Sequence, residues 1–277
     1  MTNSLESRMK DYEQRNRYFL QRKVPVILRI DGQHFHTFLK GFKKPFDPIF
    51  IAAMQDTLKY LCENIQGCVF GYTQSDEITL VLIDYANIDS DCWFNYRVDK
   101  LCSIGASMAT MAFNKYFKDC FDNWTEDYWI EVYNRSGFST LENDKLYAAY
   151  SNAAEKGATF DCRCFNLPKE EVVNCIIWRQ NDASKNSILS VGQANISHKE
   201  MQGLKCNDIQ NKLLTEYNIN WNDFSTVEKR GTSCIKLPVK VNGKNNEEII
   251  RNKWILDFDM PIISEDKDYV NMFVLIE

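Results

Sequence analysis

Residues 68–83 read CVFGYTQSDEITLVLI: two apolar, β-rich runs on either side of a polar break. The pattern predicts two strands around a tight turn at Gln74-Ser75. Upstream, Phe50, Met54, Leu58, Leu61 and Ile65 recur at helical spacing. Asp47 is placed to cap that helix, Pro48 to be its first residue and Gly67 to end it. Further upstream, VPVILRI (24–30) is a β-rich run that stops at the turn pair Asp31-Gly32. Downstream, 93–118 reads as a second long helix, with Phe94, Leu101, Ile104, Met108 and Met111 on or near one face. A further strand is expected at TFDCRCFNL (159–167). The order is βαββαβ. It predicts an α+β fold with a ferredoxin-like unit, the architecture of polymerase palms and nucleotide cyclases.

Residues 4–20 read as a polar helix. Segment 119–158 is rich in aromatic and acidic residues and low in periodicity, and is expected to be an insertion or loop region. Beyond Pro168, helical patterns cover about 169–181 and 207–217, followed by β structure with a hairpin turn at Asn242-Gly243. The reading is a palm core over about 24–167 and a C-terminal helical and β-hairpin extension over about 168–277. With no repeat, low-complexity tract or linker, the 277 residues, 44% of them hydrophobic, are expected to form one domain.

No run is long enough to span a membrane. The first 20 residues lack an apolar signal core and carry Glu6, Asp11 and Glu13, which a mitochondrial presequence avoids. A cytoplasmic protein with no membrane partner is expected, with mitochondrial import left open. The ten cysteines are scattered, without a CxxC, and Cys162 and Cys164 are too close for a zinc knuckle; reduced thiols are expected. A net charge of −5 argues against indiscriminate nucleic-acid binding. It leaves room for a local basic face at Arg15, Arg17, Arg22 and Lys23, at Lys40, Lys43 and Lys44, or at Lys229 and Arg230, each of which reads equally as a solvated face.

In a ferredoxin-like unit the first and third strands are antiparallel neighbours. Asp31 ends the first and Asp76 begins the third, so residues 45 positions apart meet at one sheet edge. Two carboxylates held together repel unless a proton or cation lies between them. Hard divalent cations favour such ligands, and magnesium fills its remaining positions with waters and phosphates. The alternative is that Asp31-Gly32 is a plain turn and Asp76-Glu77 a polar hairpin tip.

These residues also bear a resemblance. RIDGQHFHTF (29–38) resembles the RIDGxxFHxF signature of the tRNA-histidine guanylyltransferase family, and GYTQSDEITLVL (71–82) is similar to its second, with the QSDE core intact. Lys44-Pro45 with Asp47, Phe160-Asp161 with Arg163, Trp178-Arg179-Gln180 and Lys229-Arg230-Gly231-Thr232 follow in order, so the likeness covers roughly residues 20–237. It implies two magnesium ions held by Asp31, the Gly32 carbonyl and Asp76. It also implies tRNA, ATP and GTP or another NTP as substrates, and extension of RNA in the 3′–5′ direction. ATP would activate a 5′-monophosphate; the 3′-hydroxyl of an incoming NTP would then attack, releasing AMP, or pyrophosphate from a triphosphorylated end. A homotetramer, a dimer of dimers, is the family's common assembly.

Around the catalytic candidates Asp31, Asp76 and Glu77, backbone N–H groups at Gln33, His34 and Phe35 are placed to face a triphosphate. His36 is a phosphate partner or a structural one. Lys44 is a phosphate contact. Asp47 reads the base or merely caps its helix. Ser75 lies beside the triphosphate, and Glu77 is an outer metal contact or a partner of the ligands. Arg97 and Lys100, three apart on a helix, face phosphate or form a surface pair. Ser107 and Arg163 are further nucleotide candidates. Arg179, Asn186, Lys229 and Arg230 are candidate tRNA contacts.

The chain departs from the eukaryotic members after the WRQ motif. Those carry a HINNLYN stretch; here the sequence is WRQNDASKNSILS (178–190), with Asp182 and Asn186 fitting, Ser184 in place of the histidine and Leu189 in place of a polar residue. The pattern looks more like the guanylyltransferase-like proteins, which favour templated addition and rebuild 5′-truncated tRNA. Template-dependent repair is therefore expected. Single guanylate addition to histidine tRNA is the alternative. A nucleotide cyclase on the same palm should lack RIDG…FH and WRQ, and a silent tRNA-binding protein should have lost Asp31 or Asp76.

Overall fold

The computed structural model describes residues 4–87, 89–134, 141–242 and 248–276. Helix α1 (Leu5–Gln14) is capped by the Ser4 hydroxyl and is shorter than the expected 4–20; beyond it the chain is extended enough for Phe19 to bridge to Arg97. Strand β1 (Val26–Gly32) runs on through Asp31-Gly32, because both still find partners, Asp161 and Phe160. One helical turn, α2 (Phe35–Phe38), follows. Helix α3 (Pro48–Asn64) begins as expected, with Asp47 accepting from Phe50 N and proline in the first turn, and ends just before Gly67, whose φ is +80°. Strands β2 (Cys68–Gln74) and β3 (Glu77–Leu82) flank a turn at Ser75-Asp76, one residue later than expected, with Ser75 left-handed at φ 50°.

A 3₁₀ turn at Trp93–Tyr96 precedes α4 (Val98–Asn134), which continues far past residue 118. With α5 (Leu141–Lys156) it makes most of segment 119–158 helical, which corrects the expected loop. The physical reason is aromatic packing between two helices: Phe121 and Trp124 meet Tyr150, and Tyr128 meets Tyr147. Strand β4 (Phe160–Asn166) falls where expected. Helix α6 (Lys169–Asn195) is 27 residues long and outruns its expected end at 181. Then come α7 (His198–Met201), α8 (Cys206–Tyr217), α9 (Thr226–Arg230), β5 (Thr232–Asn242), β6 (Glu248–Asp257) and α10 (Asp268–Val274). The turn expected at Asn242-Gly243 has Gly243 outside the described residues.

The sheet order is β4-β1-β3-β2-β5-β6, and all pairs are antiparallel. The first four strands are the ferredoxin-like unit. The C-terminal hairpin does not stand apart from it: β5 pairs with β2, from Phe70↔Ile235 to Thr73↔Thr232. One face, with Val26, Leu28, Ile30, Ile78, Leu80 and Leu82, packs under α3 and α4. The other, with Ile27, Phe70, Tyr72 and Val81, packs under α6 and α10. Each fully buried aliphatic side chain contributes about 1.5–3 kcal/mol. Along β1 the second face changes from Ile27 to Arg29 to Asp31, so its apolar character ends where the acidic turn begins. Among the described residues, no helix is long and apolar enough to cross a membrane.

Candidate active site at the end of the first strand

Register places Asp31 opposite Glu77, and Gly32 N donates to Asp76 O across 3.0 Å. The two predicted aspartates therefore meet through a backbone contact. Burial, and in addition the charge of Asp31, raise the Asp76 carboxyl above its ordinary value, while its hydrogen bonds pull the other way. One of these comes from Ser75 Oγ, 3.1 Å from Asp76 Oδ1. A Cβ at Gly32 would stand 2.3 Å from the Phe35 ring and 3.0 Å from Asp76 Cβ, so only glycine permits this approach. Two carboxylates and a strand-end carbonyl form a hard oxygen set suited to a divalent cation. Among the described residues, no group of three or more His, Cys, Asp or Glu could hold an ion, so such a cation would need water or substrate oxygens as well.

Glu77 plays another part. Its carboxylate takes Arg29 Nε at 3.1 Å and Nη2 at 3.2 Å, and Arg179 Nε lies 2.8 Å away at an angle unsuited to a hydrogen bond. Burial pushes the Glu77 carboxyl up; Arg179 and Arg29 hold it down. The group expected to assist in catalysis is thus the hub of an ion-pair network. Arg179 is a correction too. It is 3% exposed, its Nη2 reaches Asp182 at 2.5 Å, and its guanidinium lies over the Trp178 ring at 4.2 Å, so it is not a free tRNA contact.

In the loop after β1, the Gln33 side chain donates to Asp161 and its N–H to Thr159 O, so that N–H is not available to a phosphate, a correction to the expected role. The Phe35 ring is core, packed on Phe38, Phe50, Phe113 and Phe160, and this packing fixes the backbone of the turn. Among the described residues, no hydrogen bond takes the N–H of His34, Phe35 or His36. His36 Nε2 lies 3.1 Å from Thr37 Oγ1, the structural partner. Arg163, half-exposed on β4, sets Nη2 3.3 Å from Asp161 Oδ1 and 3.8 Å from Asp31 Oδ2, a cation beside the acidic pair.

A cleft of about 170 Å³ adjoins this turn and gathers Lys44, Asp47, Ser75, Asn186 and Lys229. It joins residues expected to bind nucleotide with residues expected to bind tRNA. Asp47 lines it with a carboxylate that takes three donors: Oδ1 takes Phe50 N at 3.0 Å, and Oδ2 takes Lys43 N at 3.0 Å and Tyr150 OH at 2.6 Å. Asp47 therefore caps its helix and also lines the cleft. Lys229 Nζ donates to Asn222 O at 2.6 Å, and Arg230 accepts from Tyr72 OH through its backbone oxygen. Sequence reasoning missed Tyr150, because its segment was read as a loop. It also missed Ser187 and Ser190, although the i, i+4 spacing of Asn186 and Ser190 places both on one face of α6.

Three further nucleotide candidates lie on or just before α4. Arg97 Nε is 2.8 Å from Asp99. The carbonyls of Val98 and Leu101 lie against Cys164 and Cys162, which pair with Leu28 and Ile30. The Ser107 hydroxyl donates to Ser103 O at 2.7 Å. Among the described residues, no hydrogen bond or ion pair joins Arg97, Lys100 or Ser107 to Asp31 or Asp76, so their nucleotide contacts rest on the resemblance alone.

Residues 6–168 match the family model described as Thg1, tRNAHis guanylyltransferase. A probable tRNA(His) guanylyltransferase of Dictyostelium discoideum is 25% identical over 278 residues, covering 96% of this chain and 95% of that one. A solved bacterial tRNA(His) guanylyltransferase (Thg1)-like protein in complex with ATP is 40% identical with a TM-score of 0.77, covering 99% of this chain and 100% of its own. One in complex with GTP is 38% identical with a TM-score of 0.75, covering 98% of each.

Proposed function

This chain belongs to the tRNAHis guanylyltransferase family, on its Thg1-like branch, and is a nucleotidyltransferase; from that premise we propose that it rebuilds the 5′ end of truncated tRNA by templated 3′–5′ addition. The observation that favours repair over single guanylate addition is the stretch after Trp178. Ser184 stands where the eukaryotic motif has histidine, and Asn186 of the same helix lines the cleft.

Asp31, Asp76 and the Gly32 carbonyl fit magnesium by their chemistry. When bound, magnesium would polarise the phosphate under attack and offset charge on the departing group. Ser75 keeps Asp76 oriented through its hydroxyl. Arg163, beside Asp31, is placed to stabilise negative charge that grows on a phosphate. Lys44 in the cleft contacts the phosphates of the nucleotide. ATP and GTP, the ligands of the solved bacterial relatives, supply activation and the incoming nucleotide. The 5′-monophosphate is first adenylylated by ATP, releasing pyrophosphate. The incoming 3′-hydroxyl then attacks that phosphate, and AMP leaves.

The test is an extension assay with magnesium, ATP and all four NTPs on tRNAs lacking their first nucleotide, with the opposing base varied. Addition that follows Watson–Crick pairing supports templated repair. One G on histidine tRNA, whatever the opposing base, rejects it in favour of the guanylate reading. Assembly as a dimer of dimers belongs to the same proposal; sedimentation as a monomer at micromolar concentration rejects it.

A further inference from the structure

Three thiols meet on the side of β4 away from Arg163. Cys162 and Cys164 are two apart on the strand, so both side chains point to the α4 face. Cys102 of α4 faces them, its Sγ 3.6 Å from Cys164 Sγ. Cys162 Sγ fits in because residue 105 is glycine; a Cβ there would stand 3.2 Å from it. All three are free cysteines and only partly buried. Cys62 and Cys234, which also adjoin one another, are buried and shielded from an aqueous oxidant. The hydrogen bond from Cys162, and then that from Cys164, lowers the Cys102 thiol to about 6, and Cys164 is pushed up to about 12 by burial first and then by Cys102. The contact between the two sulfurs favours a thiolate on one of them, and the neighbouring thiols favour Cys102.

We propose that Cys102 and Cys164 form a reversible modification site, in which a hydroperoxide oxidises Cys102 and Cys164 closes a disulfide between α4 and β4. The Cys102 thiolate attacks one oxygen of hydrogen peroxide. An S–O bond forms, the O–O bond breaks, and the departing hydroxide takes a proton to become water. The Cys164 sulfur then attacks the sulfenic sulfur of Cys102. The S–S bond forms, the S–O bond breaks, and the second hydroxide leaves as water with the proton of Cys164. Two thiols and one peroxide give one disulfide and two waters. The sulfurs start 3.6 Å apart and need to close to about 2.05 Å. Transient disulfides of this kind are the sort that occur in reducing compartments. The inference does not depend on which nucleotides the enzyme adds.

The experiment treats the full chain with one to a few equivalents of hydrogen peroxide, traps remaining thiols with N-ethylmaleimide and maps the unreduced digest by mass spectrometry. The expected result is a Cys102–Cys164 linked peptide as the first disulfide, lost on adding dithiothreitol. In Cys164→Ser, dimedone should label Cys102 as the stranded sulfenic acid. Full alkylation of Cys102 and Cys164 after peroxide overturns the proposal, as does earlier oxidation of any other cysteine. The wild-type map needs no variant, so a misfolded substitution cannot decide the outcome.

Discussion

At Gly32 there is no room for a methyl group, since its Cβ would enter the Phe35 ring and crowd Asp76. Gly32→Ala should cost about 1–3 kcal/mol in urea unfolding and lower nucleotide addition with it, because the acidic turn must shift. Asp31→Ala and Asp76→Ala should abolish addition while leaving tRNA retention on filters nearly unchanged; full activity in either variant removes the proposed ligand pair. Arg179→Ala tests the opposite kind of residue. Breaking a buried ion pair with Glu77 should destabilise the protein by about 3 kcal/mol, with little loss of tRNA affinity. Weaker tRNA binding at unchanged stability would return Arg179 to the RNA surface. These residues also mark what one sequence discloses. The Asp31 and Asp76 meeting was legible because strand order dictates it. The Arg29–Glu77–Arg179 network was not, because burial and partner choice leave no mark in a short motif.

Helix α3 begins at a junction of two kinds of information. Its cap, Asp47 before Pro48, was legible locally. The contact from Tyr150 OH, 103 residues away, was not, since it depends on α5 folding back over the loop that holds Lys43 and Lys44. Tyr150→Phe should cost about 1 kcal/mol and raise the KM for nucleotide more than it lowers kcat, by loosening that loop. A change in kcat alone would place Tyr150 outside nucleotide binding. Lys44→Ala on the same loop should weaken ATP use on 5′-monophosphate RNA more than extension of 5′-triphosphate RNA; equal losses would remove a role specific to activation. Helix α5 itself was hidden because the described residues it buries, Leu146, Tyr150 and Ala153, are few and are set among small and polar residues.

For the molecule as a whole, the sheet unites segments that sequence reading divided into a core and an extension. The βαββαβ order was readable from local patterns, whereas the pairing of β5 with β2 joins distant residues and leaves no local trace. Because Trp254 and Leu256 of β6 pack against the core cluster under α3 and α4, unfolding in urea should follow one transition by far-ultraviolet dichroism and by tryptophan fluorescence. Two separated transitions would show that the hairpin and palm melt apart. Helix α6 has its own bearing on how such a chain can vary. It fixes Arg179 on Glu77 at one point and Asn186 in the cleft seven residues later, about two turns or roughly 10.5 Å along the axis. An inserted codon between them would turn everything downstream by about 100° and swing Asn186 off the cleft. Length changes in this gene should therefore be barred from that interval and tolerated beyond Asn195, so the helix acts as a ruler against which insertions and deletions are sorted.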